Sequence, residues 1–409
     1  MAGLVAAVRQ SLACRTPAVG SAVGLAVCVL LLICAPGALA QRQVPPRFLG
    51  VVADGPLLDD RALSGAHTSL RRELDLMVGA GVESVRLSFY WAEMQPYAGW
   101  ADLPAAERDG FEDGAGVPTD FEVTDRLVGL AAERGLSLLP VVLWAPGWAA
   151  LLPGEFASPP SDPAVYARFV RALAERYGSR GSFWREHRQL RRVPLTDWQV
   201  WNEPTYLNFW LVQPFAREYV ALLRATWASL RKADPRGRVV LGGLVYESWD
   251  ALQQIYRAGG RRFFDAIALH PFTRRPDDVL RIVERNRTVM SRHGDARKPV
   301  YLTELSWPSS RRQIPVRYGY ETDERGQARK LTQALRLLAR NRRRLGLERV
   351  YWYSWLTREV SKDYPFDYAG LRRLGIGRVV SKPALRSFRR AALALEGCRA
   401  KRRDATRCR

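Results

Sequence analysis

Two glutamates follow apolar segments and have aromatic neighbours. Glu203 lies in the string Trp-Asn-Glu-Pro, and Glu304 lies three residues before Trp307. Apolar surroundings raise the pKa of a carboxyl group because they penalise its charged form. A neutral carboxyl can donate a proton, while a second, ionised carboxylate can attack carbon or activate water. Cleavage of a glycosidic bond requires this pair of groups.

Segments of two kinds must position these glutamates. Eight short apolar segments are predicted as strands: 48–53, 82–89, 136–143, 197–201, 238–245, 264–269, 299–303 and 350–354. Between and after them, apolar residues recur at helical spacing, as in 69–79, 123–134, 164–177, 215–232, 279–292, 328–345 and 383–395. Strict alternation predicts an α/β fold with a parallel sheet, and eight repeats fit a single-domain (β/α)8 barrel over residues 41–395. An open doubly wound sheet is the alternative, although its glycine-rich turn is absent after the first strand.

The two glutamates fall at the ends of predicted strands four and seven. Pro204 biases Glu203 away from helical geometry, so that Glu203 should end its strand. In a closed barrel these two side chains can converge at roughly 5 Å, the spacing of a retaining pair. Long loops after strand two (90–119) and strand eight (356–382) should lie on the same face, where the active sites of such barrels are found.

The Trp-Asn-Glu-Pro string resembles the acid/base motif of glycoside hydrolase clan A, most closely families 39 and 5. The resemblance covers about residues 48–395. It implies a retaining mechanism with Glu203 as general acid/base and Glu304 as nucleophile, acting on β-glycosidic bonds of oligo- or polysaccharides. A non-catalytic glycan-binding barrel at the cell envelope is the competing hypothesis.

The same resemblance assigns roles to other strand ends. Asn202 matches the asparagine that binds the sugar 2-hydroxyl, and Arg86 matches an arginine that supports the nucleophile. His270 matches the strand-six histidine, and Trp355 matches the tryptophan that forms the floor of the sugar site. A buried ion pair for Arg86 and a core position for His270 are the structural alternatives.

One position departs from the family pattern. Phe272 stands where relatives often carry a tyrosine that is hydrogen-bonded to the nucleophile. We expect Tyr246, at the end of strand five, to supply that hydroxyl if any residue does. The missing hydroxyl is also the reason for keeping the non-catalytic hypothesis.

Tryptophan is frequent, with 13 residues, and several fall at or beyond predicted strand ends. Because aromatic faces pack against sugar rings, we expect a glycan groove that includes Trp91, Trp144, Trp307 and Trp355. Packing in the core is the alternative for each of them. No metal or cofactor site is predicted, since the four histidines lack ligand spacing and no phosphate-binding loop occurs.

The first 40 residues have the pattern of a signal peptide. Arg9 and Arg15 precede an uncharged apolar run that ends in Ala38-Leu39-Ala40. This small-x-small ending predicts cleavage, secretion and no membrane insertion of the mature chain. An uncleaved anchor is the alternative.

The C-terminal tail, 396–409, is basic and carries the two cysteines that lie outside the predicted leader, Cys398 and Cys408. In an exported chain they predict a disulfide, with two free thiols as the alternative.

The chain is strongly basic, with a formal net charge of +22, or 22 − 2 = +20 without the leader arginines. Of 63 basic residues six are lysine, which leaves 57 arginines. They are scattered over predicted helices without a recognition motif, which predicts a solvated basic surface and no nucleic-acid partner. Weak attraction to anionic glycans or lipid headgroups is the alternative.

Overall fold

The computed structural model describes residues 41–408, so the predicted leader lies outside the described residues. The chain forms eight parallel strands: β1 (Leu49–Val52), β2 (Ser84–Tyr90), β3 (Ser137–Leu143), β4 (Asp197–Val200), β5 (Arg238–Leu241), β6 (Ile267–Leu269), β7 (Val300–Leu305) and β8 (Leu347–Trp352). They pair in the order β5-β4-β3-β2-β1-β8-β7-β6. Two isolated parallel bridges, Val240–Ala266 and Leu244–Leu269, join β5 to β6. The ring is therefore nearly closed, and the predicted barrel is confirmed.

Among residues 41–408, eight helices of ten or more residues surround the strands. They are α1 (Leu70–Gly79), α2 (Glu122–Glu133), α3 (Pro163–Tyr177), α4 (Ala216–Ala233), α5 (Ser248–Arg257), α6 (Pro276–Arg292), α7 (Glu324–Leu345) and α8 (Pro383–Glu396). Helix α5 is the one that periodicity did not single out. Asp162 caps α3 ahead of Pro163, and Gly346 ends α7 with a left-handed φ of 60°. Asp162 therefore marks where α3 begins, and Gly346 marks where α7 ends.

The barrel interior is apolar in its middle and charged at its amino-terminal end. A small core of Val52, Leu139, Val240, Ala266, Ala268, Tyr301 and Tyr351 fills the centre. Beyond it, Arg238 on β5 bonds Asp197 at 2.6 Å and Glu348 at 2.9 Å. These ion pairs occupy the amino-terminal end of the barrel, where Arg238 has a partner of opposite sign on each side. A site for substrate therefore has to form at the carboxyl ends of the strands.

Loops with structure of their own extend from the carboxyl ends. The loop after β2 forms a short helix, Trp91–Met94, and a hairpin of Glu112–Gly114 with Val117–Thr119. The loop after β8 forms a small sheet of Leu356–Thr357, Arg372–Gly375 and Arg378–Ser381.

The C-terminal tail is tied to the barrel. Cys398 and Cys408 form a disulfide. The ammonium group of Lys401 is fully buried and bonds Glu83 at 2.7 Å and Glu396 at 2.5 Å. Within the described chain, no helix combines the length and the apolar character needed to cross a bilayer.

Candidate active site

Glu203 and Glu304 meet above the carboxyl end of the barrel. Glu304 is the fifth residue of β7, whereas Glu203 lies three residues beyond β4 with a left-handed φ of 41°. Pro204 therefore does not hold Glu203 in the extended geometry that the sequence predicts. An oxygen of each carboxylate lies within 4.8 Å of the other. This separation is close to the ~5 Å of a retaining pair and well below that of an inverting pair.

His270 lies between the two carboxylates. Its Nδ1 is 2.6 Å from Glu203 Oε1, and its Nε2 is 3.6 Å from Glu304 Oε1. Burial lowers the pKa of His270 to about 4, so the imidazole is neutral near pH 7. The ring passes so close to Gly243 that a Cβ there would lie 2.0 Å from His270 Nε2. Glycine at 243 thus leaves the space that the imidazole fills.

Arg86 on β2 connects the nucleophile to its neighbours. Its Nη1 donates to Glu304 Oε1 at 2.9 Å, and its Nη2 donates to Asn202 Oδ1 at 2.8 Å. Its Nε donates to Gln199 Oε1 at 2.7 Å, and Gln199 donates in turn to Leu241 O. Since arginine only donates, the amide oxygen of Asn202 must face it and leave the amide NH₂ towards the cavity. The sequence did not predict a role for Gln199, because this residue lies buried inside β4 and no motif marks it.

Burial and charge distinguish the two glutamates. Burial raises the pKa of Glu203 to about 7. Burial also raises the pKa of Glu304, while His270 and Arg86 act to lower it. Because the guanidinium contacts Glu304 and not Glu203, the negative charge of the pair belongs on Glu304 and the proton on Glu203.

The same three side chains form a cluster that could coordinate a cation, with their donor atoms within 4.8 Å of one another. Arg86, however, already places a fixed positive charge against Glu304. A second cation at that carboxylate would be repelled, so the arrangement suits proton transfer and nucleophilic attack better than metal binding.

A cavity of about 390 Å³ opens above the glutamates. Its wall also includes Asn202, Asn208, Val245 and His270. The aromatic part of the wall consists of tyrosines and phenylalanines from the loops after β4 to β8: Tyr206, Phe209, Tyr246, Phe272, Tyr318, Tyr320, Tyr353, Tyr364 and Phe366. The long loop after β2 contributes no residue to the lining, in contrast to the loop after β8.

Lys382 holds two of these loops together. Its buried ammonium donates to Glu359 at 2.6 Å, to the Ser309 hydroxyl at 2.7 Å and to the Tyr368 carbonyl at 2.9 Å. Ser309 belongs to the loop after β7, and the two other partners belong to the loop after β8. The loops after β7 and β8, which both carry parts of the aromatic wall, are therefore hydrogen-bonded to each other behind the cavity surface.

The predicted tryptophans lie elsewhere, which corrects the expected sugar contacts. Trp91, Trp307 and Trp355 are fully buried. Each indole N–H bonds inside the protein: Trp91 to Gln95, Trp307 to Thr273 O and Trp355 to Glu73. They fill space behind the strand ends, because an indole is the side chain large enough to do so.

Trp144 also lies outside the cavity lining. It stacks on Tyr90 with ring centroids 4.4 Å apart and contacts the exposed ring of Phe156. Tyr353, two residues before Trp355, lines the cavity at the end of β8 instead. The resemblance therefore assigned the sugar contact to a ring that the structure buries.

Tyr246 does line the cavity and is 70% exposed. Among residues 41–408, however, no hydrogen bond joins its hydroxyl to Glu304, so it does not replace the tyrosine expected at position 272. Phe272 lies in the wall against Phe366, with ring centroids 4.5 Å apart.

Comparison with known proteins bears on the fold. No family model and no curated protein matches this sequence. A family 39 glycoside hydrolase from Bacteroides cellulosilyticus WH2 aligns with a TM-score of 0.60 at 19% identity, over 87% of this chain and 65% of its own. The chain thus spans just under two thirds of that relative's length.

Two further solved structures agree. A family 39 β-xylosidase from Caulobacter crescentus aligns with a TM-score of 0.56 at 16% identity, over 86% of this chain and 72% of its own. A family 5 enzyme from Bifidobacterium longum, in complex with Manβ1-4GlcNAc, aligns with a TM-score of 0.56 at 14% identity. The alignment covers 84% of this chain and 77% of the enzyme. The fold of this chain is therefore similar to the (β/α)8 barrels of these glycoside hydrolases.

Proposed function

We propose that the chain is a secreted retaining β-glycosidase that cleaves oligo- or polysaccharides by double displacement. One observation carries the proposal: Glu203 and Glu304 lie within 4.8 Å of each other, and only Glu304 contacts a guanidinium. Such a pair supplies a proton donor and an ionised nucleophile on the two sides of one bond.

In the first step Glu304 attacks the anomeric carbon and forms a C–O bond to it. The bond to the leaving oxygen breaks, and that oxygen takes the proton of Glu203. The product is a glycosyl ester on Glu304, with Glu203 ionised. Arg86 holds Glu304 in place, while the amide NH₂ of Asn202 can donate to a hydroxyl of the bound sugar.

In the second step Glu203 removes a proton from water as the water oxygen attacks the same carbon. The ester bond breaks, and its electrons return to the carboxylate of Glu304. His270 stays neutral near pH 7 and keeps its contact with Glu203 both when Glu203 is protonated and when it is ionised. The anomeric carbon is inverted twice, so its configuration is retained.

The cavity fits a neutral sugar. Its lining contains no lysine or arginine, and nine of its residues are aromatic. Tyrosine and phenylalanine rings offer apolar faces to the C–H groups of a pyranose, and the phenol hydroxyls at the rim offer hydrogen bonds.

The test uses the mature chain, a panel of neutral aryl β-glycosides and a 2-deoxy-2-fluoro aryl glycoside. We expect turnover by the wild type, none by Glu304→Gln, and a covalent fluoroglycosyl adduct on the peptide that contains Glu304. Glu203→Ala should retain more activity on substrates with good leaving groups than on natural linkages. Glu247→Gln, which changes an exposed glutamate at the rim, serves as the matched control.

Two outcomes would contradict the proposal. Wild-type rates in Glu304→Gln would remove the nucleophile assignment. Saccharide binding by a wild type that cleaves none of the substrates would favour the non-catalytic glycan-binding barrel.

A further inference from the structure

Helices α7 and α8 lie side by side and carry a groove lined by arginines. Two adjoining cavities of about 610 and 630 Å³ form it, and they share Ala328, Arg329, Ser387 and Arg390. We define the arginine groove by seven residues: Arg325, Arg329, Arg336 and Arg340 on α7, and Arg386, Arg389 and Arg390 on α8. All seven are exposed.

The arginine groove lacks the partners that exposed arginines have elsewhere. None of the seven forms an ion pair or a side-chain hydrogen bond with another residue of the described chain. On other surfaces Arg71 pairs with Glu133, and Arg344 pairs with Glu284. The one acid that lines the groove is Asp277.

The spacing of the groove arginines is unfavourable for the protein alone. Arg325 and Arg329, Arg336 and Arg340, and Arg386 and Arg390 are three pairs separated by four residues. Like charges at this spacing face each other on a helix and destabilise it. Since no acid of residues 41–408 forms an ion pair with them, an external polyanion would relieve the repulsion.

The groove starts near the mouth of the barrel and runs down its side. Both helices begin where the loops after β7 and β8 return from the carboxyl ends, and Arg325 and Arg386 lie in their first turns. From Arg325 to Arg340 the helix rises by ~22 Å at ~1.5 Å per residue. An extended polymer fits this shape better than a small anion does.

We propose that the arginine groove binds a carboxylate-bearing polysaccharide, at a site separate from the catalytic cavity. The planar guanidinium matches a carboxylate with two parallel hydrogen bonds. Thr332, Gln333 and Ser387 lie among the arginines, where polar groups can meet sugar hydroxyls. This site would hold the enzyme on an acidic matrix while the cavity cleaves neutral linkages.

Other polyanions fit the groove less well. No aromatic residue lines either cavity, although single-stranded nucleic acids stack on aromatic rings. A surface that inserts into lipid presents exposed apolar or aromatic side chains, whereas Leu337 and Leu385 in the groove are half-buried.

The experiment measures binding of the mature chain to polygalacturonate at low salt. Neutral dextran, duplex DNA and anionic phosphatidylglycerol vesicles are the comparison ligands. The groove variant combines Arg329→Gln, Arg336→Gln, Arg386→Gln and Arg390→Gln. The matched control removes four other exposed arginines that have no ion pair within the described chain, at Arg72, Arg168, Arg217 and Arg257.

We expect polygalacturonate binding to weaken about tenfold or more in the groove variant and far less in the control, and to weaken steeply with added salt. Turnover of a neutral aryl glycoside should be equal in the groove variant and the control variant. This measurement shows that both variants are folded, and it tests the catalytic proposal separately from the binding proposal. A double variant, Arg336→Gln with Arg390→Gln, tests the groove if the quadruple variant unfolds.

Three results would overturn the inference. They are no binding of polygalacturonate beyond that of dextran, equal losses in groove and control variants, and tighter binding of DNA or vesicles through the same arginines.

Discussion

The guanidinium of Arg86 lies 2.9 Å from the carboxylate of Glu304 and approaches it from inside the barrel. Arg86 comes from β2 and Glu304 from β7, so closure of the sheet creates the contact. The arginine is 2% exposed, which places its charge in a region where water screens little. Which glutamate carries the negative charge is therefore decided by the barrel interior.

Replacement of Arg86 by lysine should show how much of the site depends on the three hydrogen bonds that the guanidinium donates. Lysine keeps the charge but cannot bond Gln199, Glu304 and Asn202 together. We expect kcat/KM on an aryl glycoside to fall by roughly 10²-fold, with the acidic limb of its pH profile moved upward as Glu304 ionises less readily. Arg126→Lys, at an exposed ion pair with Asp60, is the control. Near-normal rates with an unmoved acidic limb would contradict this role.

The pH dependence of wild-type kcat/KM should be bell-shaped. Activity should decline above about pH 7, because the pKa of Glu203 is raised to about 7 and its ionised form cannot protonate the leaving group. The acidic limb should lie above the ordinary glutamate value of 4.5, because burial raises the pKa of Glu304. In Glu203→Ala, assayed with a good leaving group, the alkaline limb should disappear. Its survival at the same pH would assign it to another residue.

Glu203 should also make folding stability depend on pH. Its pKa is about 7 in the folded chain, against a model-peptide value of 4.5, so burial of the neutral form stabilises the fold below pH 4.5. That stabilisation is lost as the pH rises from about 4.5 through 7. Glu203→Gln, which stays neutral, should therefore unfold at a higher temperature than the wild type at pH 8 and at a similar one at pH 4.5.

Thermal unfolding at the two pH values checks this expectation. Glu218→Gln, at an exposed position on α4, provides the comparison and should show a similar difference from the wild type at both. A larger stabilisation by Glu203→Gln at pH 4.5 than at pH 8 would reverse the predicted sign.

Gly243→Ala should displace His270, because the added Cβ would lie 2.0 Å from the ring nitrogen. Loss of the 2.6 Å contact with Glu203 should lower kcat and shift the alkaline limb of the pH profile, with a smaller effect on KM. Gly79→Ala, where a Cβ meets no atom within 4 Å, is the matched control. An unchanged pH profile would show that the histidine does not influence Glu203.

The sequence predicted the barrel and the meeting of the two glutamates for the same reason. Strand and helix periodicities alternate without interruption, and the carboxyl ends of parallel strands share one face. Arg86 and Asn202 followed from the family resemblance, although Arg86 lies inside β2 and only Asn202 lies beyond the end of its strand.

The aromatic wall could not be predicted in the same way. A tryptophan just beyond a strand can turn inward, as Trp355 does, or outward, and periodicity does not distinguish the two. Tyr318 and Tyr364 reach the cavity through long loops, whose paths depend on distant contacts. The groove arginines looked scattered because they come from two helices that pair only in the folded chain.

Lys382, at the end of the loop after β8, donates to the Ser309 hydroxyl of the loop after β7, and the Ser309 N–H donates to the Tyr368 carbonyl at 3.0 Å. Those loops can separate only if the buried ammonium group gives up the Ser309 hydroxyl and the Ser309 N–H gives up its carbonyl partner, and unpaired buried polar groups are costly. Separation of these two loops is thereby disfavoured, which favours entry and exit of saccharides through the existing mouth. The width of that mouth, rather than a gating motion, then limits how large a branch next to the cleaved bond can be.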